Sequence, residues 1–454
     1  MGMHSLTTIW LSFARVLFRS ITALTFLICI ACGSGGGGEA HLPGSDTASF
    51  QLANDTLPPP YATKSVKNYS QVLGWPDDRT PSAPPGFKVT RFATGLQNPR
   101  WLYVTPNGDV LVAEANTETK GIKKVTEKIS GKAESKNNSE SANRITLLRD
   151  KDNDGNPEVQ QVLLGDLNQP FGMLVIGNLL YVANTDGVLQ FPYNAGQTQI
   201  KAEGKKIVNL PAGGYNNHWT RNIIANADTS KIYIAVGSGS NVAEHGMENE
   251  VRRANILEVN LDGTGERIFA SGLRNPVGMC LRPGTNELWT VVNERDELGD
   301  DLVPDYLTQV KNGGFYGWPY AYFGPNEDPR LKGQERDLVR QTIVPDVGLG
   351  AHTASLGLAF YDKQTFPTKY RGGAFVAQHG SWNRSELSGY KVVFVPFKNG
   401  RPTGPPEDFL TGFIANIDEN EVFGRPVGIA VLPDGAMLVT DDVSNVIWKI
   451  QVEP

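Results

Sequence analysis

The 454-residue chain has little of several features that would place it in a familiar class. It has only 3 cysteines, too few for a disulfide scaffold, and no cluster of histidines and cysteines suggests zinc or copper. No GxGxxG or P-loop motif indicates a nucleotide site. Its 42 basic and 48 acidic residues give a net charge of -6, so we expect no overall attraction to nucleic acid.

Long hydrophobic runs are also missing. The apolar stretch ITALTFLICIA at 21–31 is too short to span a bilayer and is typical of the core of a signal peptide. Arg15 and Arg19 precede it, and Ala31 stands before Cys32 and a glycine tract, as in a bacterial lipobox. We predict a lipoprotein-type signal peptide at 1–32 with lipidation at Cys32, and ordinary cleavage nearby is the alternative. Both predict export to the cell envelope, and lipidation at Cys32 would give the only membrane contact, through the lipid anchor.

Three further segments differ in composition. Residues 33–86 are rich in Gly, Ser, Pro and Asp, which predicts a tether with a partly ordered docking strip. Residues 117–142 are charged and lack aromatics, which predicts a mobile insertion. Residues 87–454 exceed the usual domain size of ~150 residues, but closed all-β folds of this length form single units.

A short motif recurs six times in residues 87–454. A leading residue, often followed by proline, precedes an apolar run, and the third residue after the leader is glycine in four copies. The copies are NPRWLYV, QPFGMLV, HWTRNII, NPVGMCL, ASLGLAF and RPVGIAV, led by Asn98, Gln169, His218, Asn275, Ala354 and Arg425. Five of the six leaders are polar, which packing alone does not require.

The repeat predicts an all-β fold, a six-bladed β-propeller. Each copy is followed by a turn and a second apolar run, as in PNGDVLVAE and PDGAMLVTDD, and such pairs are typical of β-hairpins. Helical periodicity is nearly absent, and turns carry most of the 49 glycines and 29 prolines. A parallel β-helix, the alternative, requires much shorter repeats.

In a propeller the leaders meet around one central funnel, and His218 is then the best candidate for a general base. The alternatives are a polar, water-filled channel without chemistry and a histidine that is bonded into the edge of a blade. His379 is a second candidate for the funnel, with an exposed loop as its alternative. Cys280 is interpreted as a buried strand residue rather than a nucleophile.

Five arginines lie at or beside the leaders or in nearby loops, where their positive charges would repel one another without an anion between them. A polycarboxylate or phosphate ligand would resolve this repulsion by bidentate pairing. For each arginine, a surface salt bridge is the alternative. The five are Arg100, Arg221, Arg274, Arg384 and Arg425.

Two acidic stretches are candidates for a hard cation such as calcium. The first is NERDELGDD at 293–301. The second is DKDNDGN, in which Asp150, Asp152 and Asp154 have the spacing of calcium loops. Gln161 stands where a complete EF-hand has glutamate, so an acidic turn without metal is the alternative.

The segments GLRNPVG, NHWTRN, NGGFYGWP and GRPVGIAVLPDG resemble the soluble quinoprotein sugar dehydrogenases, the glucose and sorbosone dehydrogenase family of six-bladed propellers. The resemblance covers residues 87–454 and is closer to the sorbosone or pyranose dehydrogenase branch. It implies pyrroloquinoline quinone (PQQ) across the funnel with a bound calcium ion, a small sugar substrate, and an external electron acceptor such as a cytochrome or a quinone.

The resemblance also implies roles for individual residues. His218 matches the catalytic histidine, and the backbone carbonyls of Arg295 and Asp296 match the calcium ligands. Five residues match cofactor contacts, the fourth only loosely: Gln169, Arg274, Asn275, Arg384 and Arg425. The chain departs from the glucose dehydrogenase pattern at Asn217 and Ser238, where aspartates are expected, and this weakens the case for glucose as substrate.

Two other functions remain open at this point. A non-enzymatic, lipid-tethered propeller would bind a glycan or a protein partner on its top face. A calcium-dependent hydrolase would need side-chain carboxylates on the axis, and the leaders supply none.

Overall fold

The computed structural model describes residues 57–118, 132, 135 and 140–453. The predicted signal peptide, Cys32 and most of the predicted insertion at 117–142 lie outside these residues. In the described part of the chain, no helix combines the length and the apolar character needed to cross a membrane.

The described residues are almost entirely strands and turns, which confirms the prediction of an all-β fold. Their one α-helix, α1, spans Arg336–Arg340, and 3-10 turns span Met247–Asn249 and Thr368–Tyr370. The first fourteen strands are β1 (Gln71–Val72), β2 (Phe87–Ala93), β3 (Pro99–Val104), β4 (Val110–Glu114), β5 (Arg144–Arg149), β6 (Val159–Leu164), β7 (Met173–Ile176), β8 (Leu179–Asn184), β9 (Gly187–Pro192), β10 (Lys205–Asn209), β11 (Ile223–Ala225), β12 (Lys231–Val236), β13 (Asn255–Asn260) and β14 (Arg267–Ser271).

The remaining strands are β15 (Pro276–Leu281), β16 (Leu288–Val292), β17 (Pro304–Gln309), β18 (Ala321–Tyr322), β19 (Asn326–Glu327), β20 (Val347–Ala351), β21 (Ser355–Phe360), β22 (Ala374–Gln378), β23 (Lys391–Val395), β24 (Phe397–Lys398), β25 (Arg401–Pro402), β26 (Glu407–Leu410), β27 (Ile414–Asn416), β28 (Glu421–Val422), β29 (Pro426–Val431), β30 (Met437–Asp441) and β31 (Val446–Val452).

Six four-stranded antiparallel sheets organise the described strands. In chain order they are sheet A (β3-β4-β5-β6), sheet B (β7-β8-β9-β10), sheet C (β11-β12-β13-β14), sheet D (β15-β16-β17-β20), sheet E (β21-β22-β23-β26) and sheet F (β29-β30-β31-β2). Sheet F joins the two ends of this region, because β2 pairs with β31 from Phe87↔Val452 onward. The first strand of every sheet is the strand that carries a copy of the repeat.

The first strands contact one another in sequence, from sheet A to sheet F and back to sheet A. The apolar core lies between neighbouring sheets. One cluster joins sheets B and C through residues such as Tyr181 and Ile234, and another joins sheets D and E through Trp289 and Phe360. Apolar side chains from facing sheets therefore bury one another, and burial of this kind is the main stabilising term in the fold.

The repeat glycines allow the first strands to approach one another closely. A Cβ atom at Gly278 would lie 2.6 Å from the carbonyl oxygen of Leu356 in sheet E, and a Cβ at Gly357 would overlap the carbonyl of Val427 in sheet F. Neither neighbour is the end of a flexible side chain, so backbone would have to move. In these copies the third residue after the leader is glycine because of this packing.

Substituting Gly357 with alanine is expected to lower the free energy of unfolding by about 1–3 kcal/mol, because it overpacks a backbone contact. Gly165→Ala is the matched control, since nothing lies within 4 Å of a Cβ there. Urea denaturation of both variants checks the prediction. Equal midpoints for the two would show that close strand approach does not explain the glycine.

Residues 57–86 form a segment, here called the strap, that lies along the sheets. Its strand β1 pairs in parallel with β28. Trp75 packs edge-on against Trp448 and donates from Nε1 to Asp441 Oδ2 at 2.8 Å. The backbone N–H of Tyr61 donates to the carbonyl of Leu298 at 2.7 Å. The strap thereby holds the loop after β16 in sheet D and the end of β30 in sheet F.

Candidate active site

A cavity of about 240 Å³ lies where the first strands begin. Antiparallel pairing places the start of each first strand beside the end of the second, so two sets of loops meet at this edge. The cavity is lined by Asn98, Arg100, Asn116, Thr117, Ser135, Asn217, His218, Trp219, Thr220, Asn275, Asn293, Ala354, Leu356, His379, Trp382, Arg425, Asp442 and Val443. Five of the six repeat leaders line it, and Gln169 does not.

His218 is held by its side chain and by its backbone. Its Nδ1 lies 2.9 Å from both the carbonyl oxygen and the Oγ of Ser238. Its carbonyl accepts a hydrogen bond of 2.6 Å from Nη1 of Arg221, which is fully buried. Burial, and then the charge of Arg274, lower the pKa of His218 to about 3. The ring is therefore neutral at physiological pH and its orientation is fixed.

Asn275 lies beside His218 because Gly237 leaves room for both. A Cβ atom at Gly237 would overlap Asn275 Oδ1 and lie 2.6 Å from Cβ of His218. Oδ1 of Asn275 is buried and has no hydrogen-bond partner in the described part of the chain. An unpaired acceptor in a cavity wall is the kind of group that a bound ligand satisfies.

One group of lining residues is here called the basic wall. It comprises Arg100, His379, Arg425 and Asp442. Asp442 accepts from Arg100 at 2.5 Å and from His379 Nε2 at 2.9 Å. Burial alone raises the pKa of Asp442, but His379 and Arg100 hold that pKa well below its usual range. Burial, and then Arg425, lower the pKa of His379 to about 4. Asp442 is thus ionised, and His379 is neutral.

Arg425 has no carboxylate partner among the described residues. Its guanidinium donates to three backbone carbonyls, those of His379 (2.9 Å), Gly380 (2.9 Å) and Ser135 (3.2 Å). Asp442 is paired directly with Arg100 and acts on Arg425 only from a distance, so the guanidinium of Arg425 makes no direct ion pair among the described residues. The basic wall therefore favours an anionic ligand.

Both cavity histidines are expected to stay neutral at pH 5 in the ligand-free protein, because their pKa values are about 3 and about 4. NMR titration of the histidine ring carbons measures this directly. A midpoint near the ordinary value of 6.5 for His218 would contradict it. Since the unfolded chain binds protons at these groups below about pH 6.5 and the folded chain does not, the free energy of unfolding should fall as pH drops from 6.5 toward 4.

Arg274 is not brought to the cavity lining. Its guanidinium turns to the loop after β16, where Nη1 donates to the carbonyl of Glu294 at 2.7 Å and Nη2 pairs with Asp296 at 2.9 Å. It also donates to Asn241. Arg274 therefore holds the loop that contains the predicted calcium ligands, rather than facing a ligand.

The side chain of Arg295 also turns away, to Asp328 at 2.5 Å. The carbonyl of Asp296 accepts from Arg295 Nε at 2.9 Å and from Asn241 Nδ2 at 3.4 Å. To bind calcium at this loop, the carbonyl of Asp296 would have to give up its hydrogen bonds from Arg295 and Asn241. The carbonyl of Arg295 has no such bond among the described residues.

The motif NGGFYGWP lies directly against GLRNPVG. The backbone N–H of Trp318 donates to the carbonyl of Gly272, and the N–H of Tyr316 donates to that of Ser271. Nε1 of Trp318 donates to the carbonyl of Asn241 at 3.0 Å, the same carbonyl that accepts from Arg274. The second motif thus supports the loops around Arg274.

Two other predicted cofactor contacts lie outside the cavity. Gln169 donates from Nε2 to the carbonyl of Asn116 at 2.8 Å and so lies behind a lining residue. Arg384 pairs with Asp301 at 3.1 Å and donates to the carbonyl of Asp300, in the loop that the strap covers. Both side chains therefore bond to other parts of the protein and do not line the cavity.

The DKDNDGN loop joins β5 and β6, away from the cavity. Carboxylate oxygens of Asp150, Asp152 and Glu158 lie within 4.8 Å of one another. Asp154 instead accepts from the backbone and side chain of Asn156. The structure therefore groups Glu158 rather than Asp154 with the first two aspartates, and calcium binding there stays a prediction.

Several lining residues follow second strands and were not predicted, notably Asn116, Thr117 and Asp442. A signal for them exists, because each second apolar run ends in polar residues, as in VTDD before Val443. The repeat leaders indicate only the starts of the first strands. The ends of the second strands lie at the same edge of each sheet, because the two strands pair antiparallel.

The chain matches the family model described as TrAA12-like over residues 81–311 and 327–453. An uncharacterized protein of Borreliella burgdorferi is 32% identical over 307 residues, which are 63% of this chain and 76% of that protein. The pyrroloquinoline quinone-dependent pyranose dehydrogenase of Coprinopsis cinerea is 23% identical over 81% of this chain and 54% of its own length. The chain thus spans about half of that relative.

Two solved structures share the fold. The holo form of the pyranose dehydrogenase PQQ domain from Coprinopsis cinerea has a TM-score of 0.66 at 21% identity, covering 84% of this chain and 100% of that one. A calcium structure of a Trichoderma reesei carbohydrate-active enzyme of family AA12 has a TM-score of 0.67 at 19% identity, covering 85% and 99%.

Proposed function

Because the chain belongs to the TrAA12-like family, we propose that it is a quinoprotein dehydrogenase that oxidises a sugar in the cavity beside His218. The single observation that carries the proposal is the cavity itself. A neutral, oriented histidine lines the same cavity as an arginine that makes no direct ion pair among the described residues, and oxidation with an anionic cofactor needs a base and a cation of this kind.

We further propose that sheets A to F are the six blades of a closed propeller. The sequential contacts among the first strands and the pairing of β2 with β31 support this arrangement. The cavity would then lie at the mouth of the central funnel, as the repeat leaders predict.

PQQ fits the chemistry of the lining residues. It carries three carboxylates, and Arg100 and Arg425 offer guanidinium groups at the basic wall. Asn275 contributes a buried amide with an unpaired oxygen. We propose these three residues as cofactor contacts, with calcium held by the backbone carbonyls of Arg295 and Asp296. When bound, PQQ supplies the two-electron acceptor for the hydride.

His218 supplies the acid–base chemistry. Its Nε2 accepts the proton of the hydroxyl on the carbon that is oxidised, while the hydride leaves that carbon with its electron pair. The hydroxyl carbon becomes a carbonyl, so an aldose oxidised at its anomeric carbon gives a lactone. Ser238 stabilises the resulting imidazolium by accepting from its Nδ1–H. The positive charge of Arg274 disfavours the imidazolium, and the negative charge of Asp296 acts against that effect.

The substrate would be an aldose or a related hydroxy-aldehyde, and an external acceptor such as a cytochrome or a quinone would reoxidise the enzyme. The basic N-terminal segment and Cys32 support export and lipid anchoring at the cell envelope. A hydrolase with axial calcium has less support, because Asp442 is the one carboxylate of the described cavity lining and is already paired.

Reconstitution tests the proposal. Purified protein is mixed with PQQ and calcium, and a panel of aldoses is assayed with an artificial electron acceptor. We expect turnover that requires both additions. Turnover without PQQ would point to different chemistry, and failure to bind PQQ would overturn the proposal.

A further inference from the structure

The histidine at the cavity has neutral partners where a carboxylate was expected. Nδ1 of His218 contacts the carbonyl oxygen and the hydroxyl of Ser238, each at 2.9 Å. Ser238 is fully buried, so water does not replace these contacts. The orientation of the ring therefore depends on the short turn that carries Ser238.

The hydrogen bonds of this turn decide which nitrogen carries the proton. The hydroxyl of Ser238 donates to the carbonyl of Ser240 at 2.6 Å, so toward His218 its oxygen can only accept. The carbonyl of Ser238 also only accepts. Nδ1 must then donate, which leaves Nε2 of the neutral ring without a proton. Nε2 has no hydrogen-bond partner among the described residues, and His218 lines the cavity.

A buried carboxylate holds the turn in place. Oε1 of Glu250 accepts from the Ser240 hydroxyl at 2.5 Å, and Oε2 accepts from the backbone N–H of Gly239 at 2.7 Å. Glu250 is 5% exposed, and Ser240 is fully buried. Burial lowers the pKa of Arg253, and the charge of Glu250 acts against that lowering, so the two charges lie near one another without a direct ion pair among the described residues.

We propose that Glu250 is a positioning residue for His218: its carboxylate fixes the turn from Ser238 to Ser240, and the turn keeps the proton of His218 on Nδ1 and its Nε2 bare toward the substrate. The aspartate expected beside the histidine is thus replaced by an anion two hydrogen-bonded residues away. The proposal rests on the proposed function for its catalytic consequence, but not for the tautomer.

The indirect arrangement affects the strength of the base. A carboxylate in contact with an imidazole favours the charged ring, whereas neutral acceptors do so less. The other charges that act on His218 are Arg274 and Arg221, which disfavour its protonation, and Asp296, which favours it. Ser238→Asp is therefore expected to move the titration midpoint of His218 upward by at least about one pH unit.

Nitrogen NMR of the 15N-histidine-labelled, ligand-free protein tests the tautomer. We expect the neutral ring of His218 to carry its proton on Nδ1 in the wild type. In Glu250→Gln we expect a mixture of tautomers, because Gly239 and Ser240 donate to different carboxylate oxygens and the amide nitrogen that replaces one of them cannot accept. A wild-type ring protonated on Nε2 would overturn the proposal, even if every variant of Glu250 failed to fold.

Kinetics of the protein reconstituted with PQQ and calcium provide the second readout. Glu250→Gln is expected to lower kcat about 10- to 100-fold with little change in KM, the range seen when a group that orients a ligand is lost. Glu258→Gln is the matched control, because Glu258 pairs with Arg267 on an exposed part of sheet C. Equal kcat in the two variants would overturn the positioning role. If NMR shows the proton on Nδ1 but the reconstituted protein oxidises no sugar, the proposed function is refuted and the tautomer assignment is not.

Discussion

Replacing His218 with alanine is expected to lower kcat for sugar oxidation by about 10²- to 10⁴-fold, the usual contribution of a general base. The cavity offers no substitute, because Nε2 of His379 carries its proton and donates it to Asp442. The affinity for PQQ should change little, since His218 makes no charge pair with the basic wall. Steady-state rates and cofactor titration of the same preparation measure both quantities.

His245→Ala is the control for this variant, because His245 is partly exposed and stacks on Tyr215 outside the cavity lining. It should retain the wild-type kcat. Unchanged turnover in His218→Ala would remove the histidine from the mechanism, whatever the cavity binds.

Replacing Arg425 with alanine is expected to weaken PQQ binding by about 10- to 100-fold, which corresponds to the loss of one charge-assisted hydrogen bond. Arg425 is the cation of the basic wall that has no described carboxylate partner, so its charge is available to an anion. Arg100 should matter less, because Asp442 already neutralises it. Equilibrium titration followed by the absorbance of the quinone gives the dissociation constants.

Arg267→Ala is the matched control, since that arginine pairs with Glu258 at the surface of sheet C. Its dissociation constant for PQQ should equal that of the wild type. If Arg425→Ala bound PQQ as tightly as Arg267→Ala does, the basic wall would not be the cofactor seat.

The fold was predictable because the repeat encodes packing as well as strand order. Gly278 and Gly357 each stand three residues after a leader, since neighbouring first strands leave no space for a Cβ there. The resemblance to quinoprotein sugar dehydrogenases is likewise confirmed by the family match. The pairing of β1 with β28 was not predictable, because two-residue strands in a proline-rich segment carry no periodic signal.

The site was predictable only in part. Position along a strand predicted that His218, Asn275 and Arg425 would meet at one cavity. It could not predict the direction of long side chains, and Arg274 turns to Asp296 because an ionised carboxylate lies within its reach.

Arg384 was assigned by resemblance, and its partner in the structure is Asp301. Ser238 stands where the glucose dehydrogenase pattern has an aspartate, and the sequence alone does not show what holds the histidine in its place. The hydrogen bonds to Ser240 and Glu250 show instead how a neutral partner can be held rigidly.

One single-turnover experiment tests the central claim, that the cavity binds PQQ and that His218 removes the substrate proton there. Protein loaded with PQQ and calcium is mixed anaerobically with an aldose that the wild type oxidises, and the absorbance of the bound quinone is followed. The account predicts rapid loss of the oxidised spectrum in the wild type and a rate at least about 100-fold lower in His218→Ala, with the cofactor still bound. Equal rates in the two proteins would contradict it.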